Sequence, residues 1–332
     1  MARPRTPNAI VQRFLHTIQA LELSRDPVGI AFSGGPDSLA LAICAAEAKR
    51  AQHLHPTLLH IDHQTRPSSS SEAEHARDLA TSLNLPFQAR RIAERTPHTE
   101  DALRAGRYNA LAAMVADLGS TLLLTGHHAD DQAETVLLNL IRGTGPQGAI
   151  GMRSIRPLPN HPPLTLLRPF LAERRTDLAT LVASRNLVPV SDPSNTDPVY
   201  RRNLIRHQVL PLLEEVVPGA ASHLATFAGL LADDNTALDQ IASEALGDLA
   251  SREILPLSII ASQPPAIASR ILRLWVHAGA GLILSHERTV ALLTLAAVGR
   301  GGAVIEIGEG IAVSRVGRTL KMHTTFAAND GD

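Results

Sequence analysis

Cysteine is almost missing from this 332-residue sequence, in which Cys44 is the single example. One thiol cannot form an intrachain disulfide, and it cannot supply a cysteine-only zinc or iron–sulfur site. Cys44 also lies within the apolar stretch LALAICAAEA, where a small buried residue is the simplest interpretation. The sequence therefore excludes a fold that depends on disulfides and a metal centre built from cysteines alone.

Long apolar runs are missing as well. No segment reaches the roughly 18 consecutive apolar residues that a membrane-spanning helix requires. The first twenty residues, MARPRTPNAIVQRFLHTIQA, alternate polar and apolar positions and lack the apolar block of a signal peptide. We therefore expect a soluble, cytoplasmic protein without a membrane partner.

Lysine is scarce too, because only Lys49 and Lys321 contribute to the 31 basic residues. A coding bias toward arginine explains this as well as selection for phosphate contacts does, so the arginine excess alone does not indicate a nucleic-acid partner. The formal net charge is −1, but residues 1–211 carry 23 basic and 19 acidic side chains, whereas residues 212–332 carry 8 and 13. The basic side chains therefore lie mainly in the first part of the chain.

Four short apolar runs, separated by helical patterns, predict the strands of one sheet. They are PVGIAF (27–32), PTLLHID (56–62), LPFQARRI (85–92) and TLLLTG (121–126). This alternation predicts an α/β fold, in which a parallel sheet carries helices on both faces and binds its ligands beyond the carboxyl ends of the strands. The Gly/Pro-rich passage that follows, residues 143–170, is expected to be a loop.

The length of the chain and its later pattern predict two domains. We expect a catalytic domain at residues 1–215 and a smaller, mainly helical domain at 216–332, with a helical linker at about 216–250. Short alternating runs near the end of the chain predict hairpin strands. The oligomeric state is left open, with a homodimer as one expectation.

The stretch VGIAFSGGPDS (28–38) marks the first candidate site. A strand that ends in Ser33, Gly34 and Gly35 and leads into a helix near Asp37 and Ser38 presents free backbone N–H groups without a Cβ in the way. A helix N-terminus favours an anion, so this turn is a candidate phosphate cradle. It lacks the Gly-Lys-Ser/Thr ending of a Walker A loop and the GxGxxG spacing of a dinucleotide fold.

The SGGPDS loop resembles the SGGxDS loop of the PP-loop ATP pyrophosphatases, which cleave ATP between the α- and β-phosphates and adenylate a substrate. Five further stretches make the chain similar to the tRNA(Ile)-lysidine synthetase family, in the order that family shows. They are HIDHQTR (60–66), RAGRY (104–108), TGHHADDQAETVLLNLIRGTG (125–145), SDPSN (191–195) and RRNLIRH (201–207).

The resemblance implies a two-step reaction on tRNA(Ile) with a CAU anticodon. ATP adenylates the wobble cytidine at its C2 carbonyl oxygen, and the amine of free L-lysine then displaces AMP to give lysidine. ATP and Mg²⁺ are the implied cofactors, with Asp37 helping to hold Mg²⁺ at the departing pyrophosphate. The implied nucleotide-binding residues are Ser33, Gly34, Gly35, Pro36, Asp37, Ser38, His60, Asp62 and His63.

The candidate catalytic residues are Asp37, Arg107, His127, Asp131, Glu134 and Arg202. Asp131 and Glu134 are three apart on one helical face and could converge on the ammonium of lysine. The resemblance implies that Arg107 and one later arginine meet the α-phosphate or the tRNA backbone.

Several alternatives stay open at the level of sequence. Asp131 and Glu134 could simply offset the dipole at the start of a surface helix, where acidic residues are common. The choice between His127 and His128 is undecided. His60, Asp62 and His63 could form a zinc site instead of a nucleotide site. Arg206 is the alternative to Arg202 as the later arginine that meets phosphate. The turn at residues 191–195 could be a simple Asx-type turn.

Other enzymes share the SGGxDS loop, among them tRNA thiolases, amidotransferase-type synthetases and asparagine synthetase. A thiolase needs catalytic or cluster cysteines, and Cys44 is poorly placed to serve. Asparagine synthetase needs an N-terminal cysteine, whereas Ala2 stands here. A non-catalytic RNA-binding adaptor of the same fold remains the alternative from a different functional class.

Overall fold

The computed structural model describes residues 7–23, 27–62, 69–91, 100–158, 160–190 and 201–324. The chain divides into two compact units, Met1–Leu231 and Ala232–Asp332. The division falls within a long helix, Ala220–Leu246, shortly after the boundary predicted at residue 216. Among the described residues, no helix combines the length and apolarity that crossing a membrane requires.

The first unit is built from helices that alternate with short strands. Its helices are α1 (Pro7–Ala20), α2 (Pro36–Arg50), α3 (Ser69–Ser82), α4 (Glu100–Asp117), α5 (Ala129–Ile141), α6 (Pro146–Ala149), α7 (Arg175–Ala183), α8 (Arg201–Leu204) and α9 (Leu210–Val216), with a π-helical turn at Ile205–Val209. Its strands are β1 (Pro27–Ala31), β2 (His55–Asp62), β3 (Phe87–Arg91), β4 (Leu122–Leu124), β5 (Ile155–Pro157) and β6 (Thr165–Leu167).

The six strands form one sheet in the order β3-β2-β1-β4-β6-β5. All neighbours pair in parallel except β5, which runs antiparallel to β6. The four predicted strands and the mostly parallel α/β architecture are therefore confirmed. Parallel pairing brings the carboxyl ends of β1, β2, β4 and β6 to one edge of the sheet, where ligands of such folds bind.

The prediction that residues 143–170 are a loop is wrong, because they contain α6, β5 and β6. The two strands are three residues long and are bounded by Pro157, Pro162 and Pro163, so the sequence offers too few alternating positions to indicate them. The structure nevertheless buries Leu166 and Leu167 completely or nearly so. Tertiary packing holds these segments in the sheet.

Alternate strand residues face opposite layers of helices. Leu124 and Leu167 lie in the core that includes α1, α2 and α7, whereas Leu123 and Leu166 lie in the core that includes α4. We call these two sides the α2 face and the α4 face. This period of two decides on which face each side chain near the sheet edge lies.

The second unit is helical and ends in an antiparallel sheet. It contains the end of α10 (Ala220–Leu246), then β7 (Ile254–Pro256), α11 (Leu257–Ala261), α12 (Pro265–Ala280), α13 (His286–Val298), β8 (Val304–Gly308), β9 (Ile311–Val316) and β10 (Thr319–Thr324). The strand order is β7-β10-β9-β8. Trp275 is fully buried in its core and donates a hydrogen bond to the Arg252 carbonyl oxygen at 2.7 Å. The predicted terminal hairpin strands are confirmed.

Candidate active site

The turn between β1 and α2 has the conformation that the glycines predict. Gly34 adopts φ +79°, a region that residues with a Cβ rarely occupy. A Cβ at Gly34 would also lie 2.6 Å from Val190 Cγ2, and the Val190 N–H donates to the Gly34 carbonyl oxygen at 2.9 Å. Both the dihedral angle and the contact therefore require glycine at this position.

The start of α2 is free of a side-chain cap. Gly35 is the N-cap residue, and Pro36 fills the first turn, where a missing N–H causes no loss. The Ser33 and Ser38 hydroxyl oxygens lie 3.1 Å apart, and Ser38 Oγ donates to the Gly35 carbonyl oxygen at 3.0 Å. The first turn of this 15-residue helix therefore offers N–H groups to an anion, and the two hydroxyls, hydrogen-bonded within the turn, lie beside them.

The end of β4 approaches the start of α2 closely. A Cβ at Gly126 would lie 2.8 Å from the Asp37 carbonyl oxygen and 3.2 Å from the Ser38 backbone nitrogen. Both obstacles are backbone atoms, which cannot rotate away as a flexible side chain does. Gly126 therefore lets the segment after β4 lie beside the phosphate cradle.

His128 connects that cradle to α5. It is the N-cap of α5: its Nδ1 accepts from the Asp131 backbone N–H at 3.3 Å, while its own backbone N–H donates to Asp131 Oδ2 at 3.1 Å. Its Nε2 lies 3.5 Å from Asp37 Oδ2. Burial alone would lower the pKa of His128, but the carboxylates of Asp131, Asp37 and Asp130 raise it above its ordinary value.

Asp131 and Glu134 converge, as their spacing predicts, but the groups between them are two guanidinium groups. Arg202 Nε and Arg206 Nε each donate to one Glu134 carboxylate oxygen at 2.6 Å. The Nη2 atoms of the same arginines donate to Asp131 Oδ1 at 3.2 and 2.9 Å. Arg206 is therefore an equal partner of Arg202, and we call these four residues the charge cluster.

The charge cluster is largely removed from water, since Glu134 is 0% exposed and the two arginine side chains are about one fifth exposed. Burial favours the neutral form of Asp131, but His128, Arg202, His127 and Arg206 outweigh it and lower the pKa of Asp131 to about 2. Burial also acts to lower the pKa of Arg206, whereas its contacts with Glu134 and Asp131 raise it. Asp131 and Arg206 are therefore ionised near neutral pH.

His127 lies on the opposite side of the chain from His128. Successive residues of an extended segment alternate, so Thr125 and His127 follow Leu123 on the α4 face. His127 Nδ1 and Thr125 Oγ1 lie 2.8 Å apart and share one hydrogen bond. Burial, partly offset by Asp131, lowers the pKa of His127 to about 3, so this ring is neutral at physiological pH.

Sequence reasoning missed a second set of ion pairs behind the charge cluster. Arg174 donates to both Asp130 carboxylate oxygens, at 3.2 and 3.1 Å, and its Nη2 lies 2.9 Å from Glu214 Oε1. Glu214 in turn accepts from the Gly219 and Ala221 backbone N–H groups at 2.7 and 3.1 Å. Nothing in the pattern around Arg174 indicates this role, because its partners lie 44 and 40 positions away.

The remaining described candidates make no hydrogen bond to the charge cluster. Burial lowers the pKa of Arg107, and the nearby charge of Arg202 lowers it further. His60 is buried at the end of β2, and its Nδ1 lies 3.0 Å from the Phe32 carbonyl oxygen, which ties it to the end of β1. Asp62 is the last residue of β2 and lies 3.5 Å from Arg91 Nε. Arg107 lies over the Tyr108 ring at 5.7 Å. His63 and the stretch 191–195 lie outside the described residues.

Comparison with known proteins places this geometry in a family. The model of the PP-loop domain matches residues 7–213. A tRNA(Ile)-lysidine synthase of Leifsonia xyli subsp. xyli is 39% identical over 303 residues, which cover 89% of each chain. A tRNA(Ile)-lysidine synthase of Salinispora arenicola is 37% identical over 323 residues, which cover 95% of this chain and 96% of the other. The chain belongs to the tRNA(Ile)-lysidine synthase family.

The tRNA(Ile)-lysidine synthases are enzymes, and their PP-loop domain is an ATP-binding domain. A solved structure, the U34-tRNA thiolase NcsA from Methanococcus maripaludis with its 4Fe-4S cluster, resembles this fold with a TM-score of 0.56. The match covers 68% of this chain and 80% of the other at 16% identity, so it supports the fold alone.

Gly126→Ala tests the close approach of β4 to α2. We expect the variant to lose about 1–3 kcal/mol of stability and to bind ATP about tenfold more weakly, because the added methyl group separates the two backbones. Thermal unfolding and ATP titration measure the two effects.

Gly229→Ala is the matched control, because Gly229 is exposed on α10 with no atom within 4 Å of an added Cβ. It should gain about 0.5–1 kcal/mol from helix propensity and leave ATP affinity unchanged. Unchanged ATP affinity in Gly126→Ala would contradict the assigned proximity.

The lowered pKa of His127 predicts a stability change with pH. Its folded-state pKa of about 3 lies below the ordinary value near 6.5, so between these values the unfolded chain binds a proton that the folded chain does not. As pH falls below about 6.5, His127 therefore removes up to about 1.4 kcal/mol of stability per pH unit. His127→Gln should lose less stability than the wild type between about pH 6.5 and 4.5 in urea unfolding.

The control for this prediction is His16→Gln, at an exposed position on α1. Its stability should follow the wild-type pH profile. If His127→Gln also runs parallel to the wild type, His127 is not held neutral by burial.

Proposed function

We propose that this chain joins free L-lysine to C2 of the wobble cytidine of tRNA(Ile) with a CAU anticodon, through an adenylated cytidine. The observation that supports this most is the position of the charge cluster at the same sheet edge as the phosphate cradle, with His128 between them. The family's relatives carry the matching name. We further infer a cytoplasmic location, where tRNA, ATP and lysine occur together. A homodimer stays an expectation that the mechanism does not require.

The phosphate cradle would hold the β- and γ-phosphates of ATP. The N–H groups of the first turn of α2 are donors that suit these oxygens. The Gly35 N–H and the Ser38 hydroxyl donate within the turn here, and they would turn to the phosphates when ATP binds. Attack of the cytidine C2 oxygen on the α-phosphorus then breaks the bond to the β-phosphate oxygen, and pyrophosphate leaves. The donors stabilise the charge that accumulates on the leaving group.

Asp37 fits a magnesium ion at this position. Its Oδ1 is buried and has no hydrogen-bond partner among the described residues, which leaves a carboxylate oxygen available to a cation. Mg²⁺ is commonly held by one or two carboxylates together with substrate phosphates and water. It would neutralise the departing pyrophosphate. Among the described residues no group of three His, Cys, Asp or Glu could form an all-protein cage, which agrees with shared coordination by phosphate.

The charge cluster suggests an order for the two steps. Two carboxylates and two guanidinium groups balance, so adding the lysine ammonium would leave one positive charge in excess in a buried site. The α-phosphate of the adenylated cytidine supplies the missing negative charge. We infer that Arg202 or Arg206 turns to this phosphate and that the ammonium takes its place at Asp131 and Glu134.

Lysine must lose a proton before its nitrogen attacks C2 and AMP departs with the former carbonyl oxygen. Its ammonium, placed between Asp131 and the phosphate, would be close to His127. The pKa of this ring is about 3 without substrate, and the negative charge of the phosphate would raise it so that the ring can accept a proton. We infer that His127 serves this transfer. His128, whose Nδ1 accepts from the Asp131 N–H, instead keeps α5 aligned with Asp37.

Thiol chemistry, which the related fold of a tRNA thiolase raises as an alternative, has no support in this chain. Cys44 is the single cysteine and is fully buried within α2. Burial raises the pKa of its thiol, so the nucleophilic thiolate is suppressed.

Incubation with a tRNA(Ile) transcript bearing CAU, ATP and isotopically labelled lysine tests the function directly. We expect nucleoside mass analysis to find the label on a single cytidine, with pyrophosphate release that depends on tRNA. A transcript of tRNA(Met) with the same anticodon is the matched substrate control. Label that stays free while ATP and tRNA are present would overturn the proposal.

Asp37→Asn and Glu134→Gln separate the two steps. Asp37→Asn should lower tRNA-dependent pyrophosphate release by about 100-fold or more, because the carboxylate that would hold Mg²⁺ at the leaving group is lost. Glu134→Gln should reduce lysine transfer by about 100-fold and adenylation by less than about tenfold, since it removes charge needed mainly by the ammonium.

The control for both variants is Asp117→Asn, which removes an exposed carboxylate paired with Arg90 at 2.6 Å. It should leave both steps unchanged. Equal loss of adenylation and lysine transfer in Glu134→Gln would contradict the assigned division of labour.

A further inference from the structure

Three buried polar atoms on the α4 face have no hydrogen-bond partner among the described residues. They are the Tyr108 hydroxyl oxygen, Arg156 Nε and Arg168 Nε. Buried polar atoms are normally satisfied, so a group of unpaired ones calls for an explanation. Arg168 is the most pronounced case, because this arginine is only 2% exposed.

The register of the sheet places these side chains on one face. Arg156 on β5 is paired with Leu166 on β6, and Arg168 is two residues beyond Leu166. Arg156, Leu166 and Arg168 therefore lie on the same face of the sheet, the α4 face. Leu166 packs in the same core as Tyr108 of α4. The Arg168 backbone N–H donates to the Ser154 carbonyl oxygen at 2.7 Å, and its Nη1 donates to the Arg153 carbonyl oxygen at 2.7 Å, which leaves Nε as the atom without a partner.

Further cations surround Tyr108. The guanidinium carbons of Arg104 and Arg107 lie 5.4 and 5.7 Å from the centre of its ring. Burial lowers the pKa of Arg168, Tyr108 acts against this, and the nearby charges of Arg156 and Arg104 lower it further. An arginine cannot give up its proton in a protein, so this group of cations gains from an anion placed among them.

This group is separate from the phosphate cradle. Arg168 lies on the α4 face, as does His127, whose pKa it helps to lower. Asp37 and His128 lie on the α2 face, where the phosphates of ATP would bind. An anion among the arginines of the α4 face would therefore reach the reacting centre from the opposite side.

We propose that Arg156 and Arg168 bind a backbone phosphate of the RNA substrate next to the target cytidine, an inference that rests on the proposed function. A guanidinium group donates two parallel hydrogen bonds to phosphate oxygens, and a contact of this kind fixes the register of a nucleic acid without reading its bases. The Tyr108 hydroxyl is a further donor to the same phosphate. This phosphate contact would hold the RNA in place while His127 faces the target cytidine.

The salt dependence of tRNA binding tests this site without any catalytic step. Each phosphate contact adds about 0.7–0.9 to the slope of log affinity against log salt concentration. The double variant Arg156→Gln, Arg168→Gln should bind a tRNA(Ile) transcript about tenfold more weakly than the wild type, with a slope smaller by about 1. Its affinity for ATP, measured without tRNA, should stay within about twofold of the wild type.

Two further variants separate lost phosphate binding from lost folding and from a general loss of positive charge. Arg156→Gln alone alters a half-exposed side chain and should weaken tRNA binding in the same direction, with an unchanged melting temperature. Arg50→Gln is the matched control, because Arg50 is exposed at the far end of α2, at the opposite edge of the sheet. It should change neither the slope nor the affinity.

If the double variant keeps the wild-type slope of tRNA affinity against salt concentration, the proposal is wrong. If it also binds ATP more weakly, the arginines belong to the nucleotide site instead. If the wild-type protein transfers lysine to tRNA while the slopes stay equal, this inference fails and the proposed function stands. A wild-type protein that neither binds nor modifies tRNA overturns both.

Discussion

The buried balance of charge between Asp131, Glu134, Arg202 and Arg206 governs the rest of the site. Removing charged groups from water is costly, and each is stable here only because its partners are present. Arg202 and Arg206 come from a segment about 70 positions farther along the chain than the carboxylates they meet. The charge cluster therefore fixes where α8 and the following π-helical turn lie against α5. A π-helical turn is often found at functional sites, in agreement with this position.

The charge cluster and the phosphate cradle are parts of one polar network. His128 caps α5 through Asp131 and lies beside Asp37, so the two regions share this residue. All five buried side-chain atoms without a hydrogen-bond partner in the described part of the chain belong to this edge of the sheet: Asp37 Oδ1, Tyr108 Oη, His128 Nε2, Arg156 Nε and Arg168 Nε. Polar groups left unpaired in a well-packed fold are typical of places where a ligand completes the hydrogen bonding.

Local chemistry made much of the fold predictable from sequence. The first strands are apolar runs bounded by turn residues, and Gly34 marks a turn whose positive φ only glycine adopts easily. Asp131 and Glu134 are close in sequence, so helical spacing was enough to bring them together. Resemblance to a family then supplied the order of the motifs and the expected substrates.

The features that sequence reasoning missed depend on distant partners or on packing. β6 has only three paired residues between prolines, so nothing local separates it from a loop, and Arg168 at its end was overlooked for that reason. Which sides of the chain the His127 and His128 rings lie on could not be decided from sequence, because this depends on the alternation after Leu123. Similarly, the pairing of both Arg202 and Arg206 with Glu134 depends on how the chain returns to the sheet edge. Such contacts follow from tertiary structure and leave no mark in local spacing.

We infer that the four residues of the charge cluster are interdependent, so that the stability of each depends on the others. A double-mutant cycle with Glu134→Gln and Arg206→Gln, read from hydrogen exchange of the α5 amides, tests it directly because this readout reports the first unit alone. We expect a coupling of about 2 kcal/mol, since each single change leaves the buried cluster with one charge in excess and the double change restores the balance. Additive effects, with a coupling below about 0.5 kcal/mol, would contradict the account.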